Sequence, residues 1–263
     1  MSFRNKVVAI TGAAGGIGRA LCRHFAGQGA VIAAVDRGNG VEAVASSLRD
    51  DGAEAAHGIA DIGDAAAVAR TFAALAERLG PVDILVNNAG FSSHMNFADT
   101  DPAGWAHDVN GNLNGTYNCV HAVLPAMKER MRGCIVTVGS VNAASALGDP
   151  AYSAAKAGMI QMTRSLAVEC GRYNIRANIV LPGTVRTPVW ERRSANDPRI
   201  LSVLARWYPL GRVVEPEEVA ATVAFLASDA ASAITGVALP VDCGLLAGNA
   251  PMTRELTLAP GED

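Results

Sequence analysis

Tyr152 and Lys156 stand in a run, PAYSAAKAGMI (150–160), otherwise made of small and apolar residues. On a helix, positions four apart share a face, so the spacing stacks a phenol and an ammonium. That pair suits proton transfer. A phenol titrates near 10, too high for an efficient base at neutral pH, and a cation one turn away favours the phenolate. Asp149 and Pro150 read as N-cap and first helical residue, which puts Tyr152 in the first turn, beside the positive end of the helix. The plainer possibility is a surface Tyr–Lys pair.

A second stretch able to do chemistry is TGAAGGIG (11–18). Gly12, Gly16 and Gly18 permit close approaches that a Cβ blocks, and a helix opening there aims its first amides at a pyrophosphate. Asp36 follows 18 residues beyond Gly18. A carboxylate at that distance accepts hydrogen bonds from adenosine ribose hydroxyls and repels a 2′-phosphate. Arg37 beside it could favour a phosphate. With Asp36 in the way and no basic residue at 13–15, NAD is expected over NADP. The five histidines are scattered without ligand spacing, so no metal site is assigned.

The elements that must position these residues follow a simple rhythm. Short apolar runs at 6–11, 30–36, 82–88, 134–140, 175–182 and 237–242, with a weaker one at 53–61, suit strands covered on both faces. Helical spacing fills 17–28, 40–51, 64–79, 102–131, 151–171 and 215–228. The alternation predicts βαβ units and an α/β, doubly wound parallel sheet of Rossmann type, about seven strands with helices on both faces. We expect one domain over 1–263, with a substrate lid at 186–212 and a tail at 246–263.

Composition excludes other classes. Half of the residues are hydrophobic and 18% are charged, unlike a disordered chain. Net charge is −3, with no basic excess to recruit nucleic acid. No apolar run approaches the roughly 20 residues of a membrane span, and no signal-peptide pattern opens the chain. Five unpaired-looking cysteines fit buried thiols in a reducing compartment, so a cytoplasmic protein is expected.

Taken in order, the motifs resemble those of the short-chain dehydrogenase/reductase family: TGxxxGxG at 11–18, NNAG at 87–90, NLxGT at 112–116, a serine at 140, YxxxK at 152–156, PGxVxT at 182–187 and ITGxxLPVD at 234–242. The resemblance implies a catalytic tetrad of Asn112, Ser140, Tyr152 and Lys156. Asn112 is chosen over Asn110 and Asn114 because it begins NLxGT. In that pattern Tyr152 is the acid/base, Ser140 holds the substrate oxygen, and Lys156 also reaches the nicotinamide ribose. Asn112 carries a water linking Lys156 to solvent.

The resemblance further implies cofactor contacts at Gly12, Gly16, Ile17, Gly18, Asp36 and Arg37, and at Asp61 and Ile62 around the adenine. Asn88, Ala89 and Gly90 would line the cleft, and Val185 and Thr187 would meet the carboxamide. Asn87 would tie neighbouring strands, and the assembly would be a homotetramer. One departure is Cys243 in Asp242-Cys243-Gly244, where the family has a second glycine, which puts the local turn in question.

For substrate, residues 92–97, 141–149 and the lid offer polar and cationic groups. His94, Ser140, Asn142, Tyr152 and Arg192 are the expected contacts. The expected reaction moves a hydride between NAD and a secondary alcohol of a sugar, polyol or related small hydroxylated molecule. The alternatives are an NADP-dependent ketoreductase of a biosynthetic path and a catalytically silent NAD-binding regulator.

Overall fold

A computed structural model describes residues 1–188, 190, 197 and 199–257. Its sheet strands are β1 (Val7–Thr11), β2 (Val31–Asp36), β3 (Ala55–Ile59), β4 (Ile84–Asn87), β5 (Gly133–Val138), β6 (Ile175–Pro182) and β7 (Ala238–Val241). Among the described residues they pair in parallel as one seven-stranded sheet, order 3-2-1-4-5-6-7.

The central strands are largely apolar because both faces are covered. Val8, Ile10, Ile32, Ile84 and Val136 enter one core layer with helices α1 (Gly16–Ala26) and α2 (Gly40–Asp50). Their strand neighbours Val7, Ala9, Ala33, Leu85 and Ile135 point the other way, into a layer with α3 (Ala65–Leu79). This is a Rossmann-type α/β fold. The chain steps from β1 to β2 on one side and to β4 on the other, and the crevice at that reversal is where such sheets bind ligands.

The expected long helix 102–131 runs unbroken from Pro102 to Glu129 but not as a single α-helix. It is α4 (Pro102–Val109), a π turn over Asn110–Asn114, then α5 (Gly115–Glu129). The hydrogen-bond ladder slips there, and Asn112 Nδ2 supplies a side-chain donor, 2.8 Å from the Asp108 carbonyl. The catalytic-helix candidate is α6 (Pro150–Cys170). Within the lid expected at 186–212, α7 (Ile200–Ala205) is described, followed after it by α8 (Pro216–Ala227), whose residues Val219 and Val223 join the first core layer.

Within the tail expected at 246–263, α9 (Ala250–Thr257) is described, with Asn249 Oδ1 accepting from Met252 N at 3.2 Å. Among the described residues no helix is long and apolar enough to cross a membrane.

Cys243 answers the question raised by its position. It adopts φ 51°, the left-handed conformation that normally calls for glycine, and the turn persists. Its thiol is pushed up by burial, so it is not an activated nucleophile. Burial raises Cys22 and Cys119 to about 12 and Cys134 to about 11.

Candidate active site

The end of β1 runs into a loop that only glycine can build. Gly12 takes φ 65°, and a Cβ on it would stand 2.8 Å from Ala89 Cα. A Cβ on Gly18 would meet the Gly12 carbonyl oxygen, and one on Gly16 would lie 2.8 Å from the Thr187 side chain. The loop, the ends of β2 and β4 and the segment after β6 enclose a cavity of about 430 Å³. Gly12, Gly16, Ile17, Gly18, Asp36, Arg37, Asp61, Ile62, Asn88, Ala89, Gly90 and Thr187 all line it. Its shape fits a dinucleotide: backbone amides at a helix start face one end, where any side chain would intrude.

Asp36 sits at the rim of this cavity with its carboxylate ordered by backbone amides. Oδ2 accepts from Ala14 N at 3.0 Å and Oδ1 from Gly38 N at 3.2 Å. Beside it, the Arg37 guanidinium stacks 5.2 Å from the Phe91 ring centroid. Phe91 also lines the cavity and was missed from sequence, since an aromatic after NNAG carries no spacing signal.

One expectation fails in this region. Asn87 does not tie the strands: both atoms of its buried amide lack a hydrogen-bond partner. Asn88 does so instead, donating from Nδ2 to the Thr11 and Gly12 carbonyls at 3.0 and 3.1 Å. Thr11 Oγ1 in turn accepts from the amides of Asn88 and Ala89, each at 3.0 Å. Val185, expected at the carboxamide, follows β6. It is 6% exposed, packs in the core and bridges to Val214. An apolar residue in an irregular segment finds its free energy minimum in the core.

At the inner end of the cleft the four tetrad residues converge. Lys156 is buried, its Nζ 3.0 Å from the Val138 carbonyl that it donates to. Burial lowers its pKa from 10.5 to about 8. A Cβ on Gly90 would lie 3.1 Å from Lys156 Nζ and 2.8 Å from Asn112 Oδ1, so the missing side chain lets both approach the cleft wall. Asn112 is fully engaged: Nδ2 donates to the Phe91 and Asp108 carbonyls, and Oδ1 accepts from Phe91 N at 3.3 Å. Its own carbonyl accepts from Thr116 Oγ1 at 2.8 Å.

Tyr152 lies in the first turn of α6, with the Ser140 hydroxyl beside its phenol. The expectation that Lys156 and the helix start hold the phenol ionised is not met in this state. Burial raises the Tyr152 pKa, the Ser140 hydroxyl works against that rise, and the Asp149 carboxylate adds to it. Asp149 holds the N-cap position but makes no side-chain cap bond.

The expected substrate contacts divide. Asn142 belongs to the frame that holds Ser140. Its Oδ1 accepts from Ser140 Oγ, and its Nδ2 donates to the Gly148 carbonyl and Ser153 Oγ, each at 3.2 Å. His94 lies against Gly104 of α4, and its buried Nδ1 has no hydrogen-bond partner among the described residues. Arg192 lies outside the described residues. Among the described residues, no group of three or more His, Cys, Asp or Glu gathers as metal ligands.

Comparison with known proteins agrees with this architecture. A family model described as Enoyl-(Acyl carrier protein) reductase matches residues 12–246. The meso-2,3-butanediol dehydrogenase of Serratia marcescens is 38% identical over 256 residues, 95% of this chain and 98% of that protein. The crystal structure of a short-chain dehydrogenase/reductase family oxidoreductase from Burkholderia thailandensis superposes with TM-score 0.89 at 49% identity, covering 97% and 98% of the two chains. An NAD+-bound xylitol dehydrogenase superposes with TM-score 0.87 at 29% identity, covering 93% and 100%. The chain therefore belongs to the short-chain dehydrogenase/reductase family, oxidoreductases that use NAD(P) and act on CH–OH groups.

Proposed function

We propose that the protein is an NAD-dependent oxidoreductase that moves a hydride between nicotinamide and a secondary alcohol of a sugar, polyol or related small hydroxylated molecule. The observation that carries this reading is buried Lys156, 5.3 Å from the Tyr152 ring centroid and behind the glycine-walled end of the cleft, with Ser140 beside the phenol. Gly12, Gly16, Ile17 and Gly18 would hold the pyrophosphate, Asp36 the adenosine ribose, and Asp61 and Ile62 the adenine. Asn88, Ala89, Gly90 and Thr187 would line the path toward nicotinamide. When bound, the oxidised nicotinamide supplies the hydride acceptor and a positive charge near the phenol.

Ser140, turning its hydroxyl proton away from Asn142 Oδ1, donates to the alcohol oxygen and sets it against Tyr152. Tyr152, as phenolate, takes the hydroxyl proton while the carbinol C–H bond breaks and its electron pair leaves. The carbinol becomes a carbonyl, oxidised by two electrons, and the proton rests on the phenol. Lys156 passes that proton onward and positions the ribose. The Asn142 backbone amide, donating to Ser140 Oγ at 3.2 Å, holds that oxygen in place and preserves the alignment on which such transfers depend.

Substrate and cofactor choice rest on separate supports. Similarity to a butanediol dehydrogenase and a xylitol dehydrogenase favours small hydroxylated substrates. The Asp36 carboxylate on the cavity rim favours NAD. The Arg37 guanidinium stacked on Phe91 favours the second reading, an NADP-dependent ketoreductase. Initial rates with polyols, simple alcohols, steroids and acyl-carrier substrates, each with both cofactors, test the proposal. Polyol oxidation with NAD is expected, and steroid or acyl-carrier turnover alone would overturn it.

A homotetramer is part of the proposal. Tyr117 on α5 and Val168 on α6 are 55% and 84% exposed, apolar surface suited to meeting another copy. Light scattering at micromolar concentration should give four times the chain mass.

A further inference from the structure

Asp149 is oddly used for a residue at a helix start. It takes φ 50° and ψ 65°, left-handed values, and its carboxylate caps nothing. Aspartate tolerates this conformation better than most residues, yet a capping role would have cost no such strain. Its side chain turns toward a different element. Oδ1 accepts from Ser92 Oγ at 2.6 Å, and its amide donates to the Met95 carbonyl at 2.9 Å. Gly148, left-handed at φ 87°, lets the chain pass that carbonyl, because a Cβ would stand 3.1 Å from it. Asp149 thus fastens loop 91–101 to the start of α6, where the two expected walls of the substrate pocket meet.

The carboxylate is only half-buried and three residues before the phenol. Among the described residues, Ser92 is its single side-chain hydrogen-bond donor, and Oδ2 has no protein partner. An ionised carboxylate has about four acceptor positions, so capacity remains for a ligand. The same negative charge opposes phenolate formation at Tyr152. A donor placed on it by the substrate would disperse that charge as the reaction begins.

We infer that Asp149 is a specificity-determining residue that accepts a hydrogen bond from a second substrate hydroxyl, next to the reacting carbinol. The site then prefers vicinal diols over simple secondary alcohols and repels alcohols that carry a carboxylate on the neighbouring carbon. This inference rests on the alcohol oxidoreductase reading proposed above.

The test is kcat/KM with NAD for 2,3-butanediol, 2-butanol and 2-hydroxybutyrate. The wild-type protein is compared with Asp149→Asn, which keeps the left-handed tolerance and the Ser92 bond. In Asp149→Asn the diol-to-mono-alcohol ratio is expected to fall roughly tenfold or more, the scale of a hydrogen bond to a charged group. The relative rate on 2-hydroxybutyrate is expected to rise. Asp149→Gly, also suited to the backbone, provides a second removal of the carboxylate should the first fold poorly. Ser92→Ala cuts the tether but keeps the carboxylate, so the diol preference should survive in it.

A ratio unchanged within twofold in an active Asp149→Asn enzyme overturns the inference alone. A ratio as low in Ser92→Ala as in Asp149→Asn also overturns it, by assigning the effect to the loop tether. Wild-type protein that binds NAD but oxidises neither alcohol overturns the alcohol oxidoreductase reading, and the inference falls with it.

Discussion

The Lys156 ammonium lies 5.3 Å from the centroid of the Tyr152 ring and directs a 3.0 Å hydrogen bond to the Val138 carbonyl. It is therefore a buried cation satisfied by one backbone group, in a place chosen for chemistry and not for stability. Burial lowers its pKa from 10.5 to about 8. The unfolded chain binds more protons than the folded one between those values, so this residue makes stability rise with pH from about 8 to 10.5. Below that window both states are protonated and the full cost is present.

Lys156→Met should therefore raise the melting temperature of the cofactor-free protein at pH 7. The gain is bounded by ~3 kcal/mol from the pKa difference and reduced by ~1 kcal/mol for the lost hydrogen bond. It should shrink toward pH 10 while turnover is lost at every pH. Thermal unfolding across that range checks the claim, and a gain independent of pH would refute it.

Gly90→Ala places a methyl group 2.8 Å from Asn112 Oδ1 and 3.1 Å from Lys156 Nζ. Asn112 is anchored by two bonds from Nδ2 and cannot retreat, so Lys156 or the backbone must shift. Misplacement on this scale costs rate more than binding, and kcat should fall roughly tenfold or more. The KM for the alcohol should change far less. Steady-state kinetics separates the two, and an unchanged kcat would show that the gap is not needed.

Asp36→Ser removes the negative charge from the rim and weakens acceptors for the Ala14 and Gly38 amides. The ratio of kcat/KM for NADP over NAD should rise about tenfold or more, with a stability loss of ~1 kcal/mol from the weakened hydrogen bonding. Equal preference in both proteins would move cofactor selection to Arg37.

Much of this was legible in the residues. Strands covered on both faces read as unbroken apolar runs, so even the weak segment around Ala55–Ile59 was identified. The glycine loop, Asp36 and the Tyr152–Lys156 spacing were legible because local geometry fixes them. The π turn at Asn110–Asn114 was not, because a ladder slip leaves helical periodicity intact on either side. Asn88 ties the strands in place of Asn87 because either neighbour could reach the adjacent strand, and only the observed backbone direction decides. Asp149 matched an N-cap by type and position, yet its hydrogen bonding runs to Ser92, 57 residues away. Contacts at that separation leave no trace in spacing.

The central claim is that Tyr152 moves the proton. The most direct measurement is turnover of a polyol by Tyr152→Phe, beside NAD binding followed by calorimetry. The hydroxyl is removed and the ring kept, so the Lys156 contact with the aromatic face survives. The account predicts a loss of kcat of roughly a thousandfold, within the range for a positioned acid/base, with NAD affinity unchanged within about threefold. Turnover retained within tenfold of wild type would contradict it.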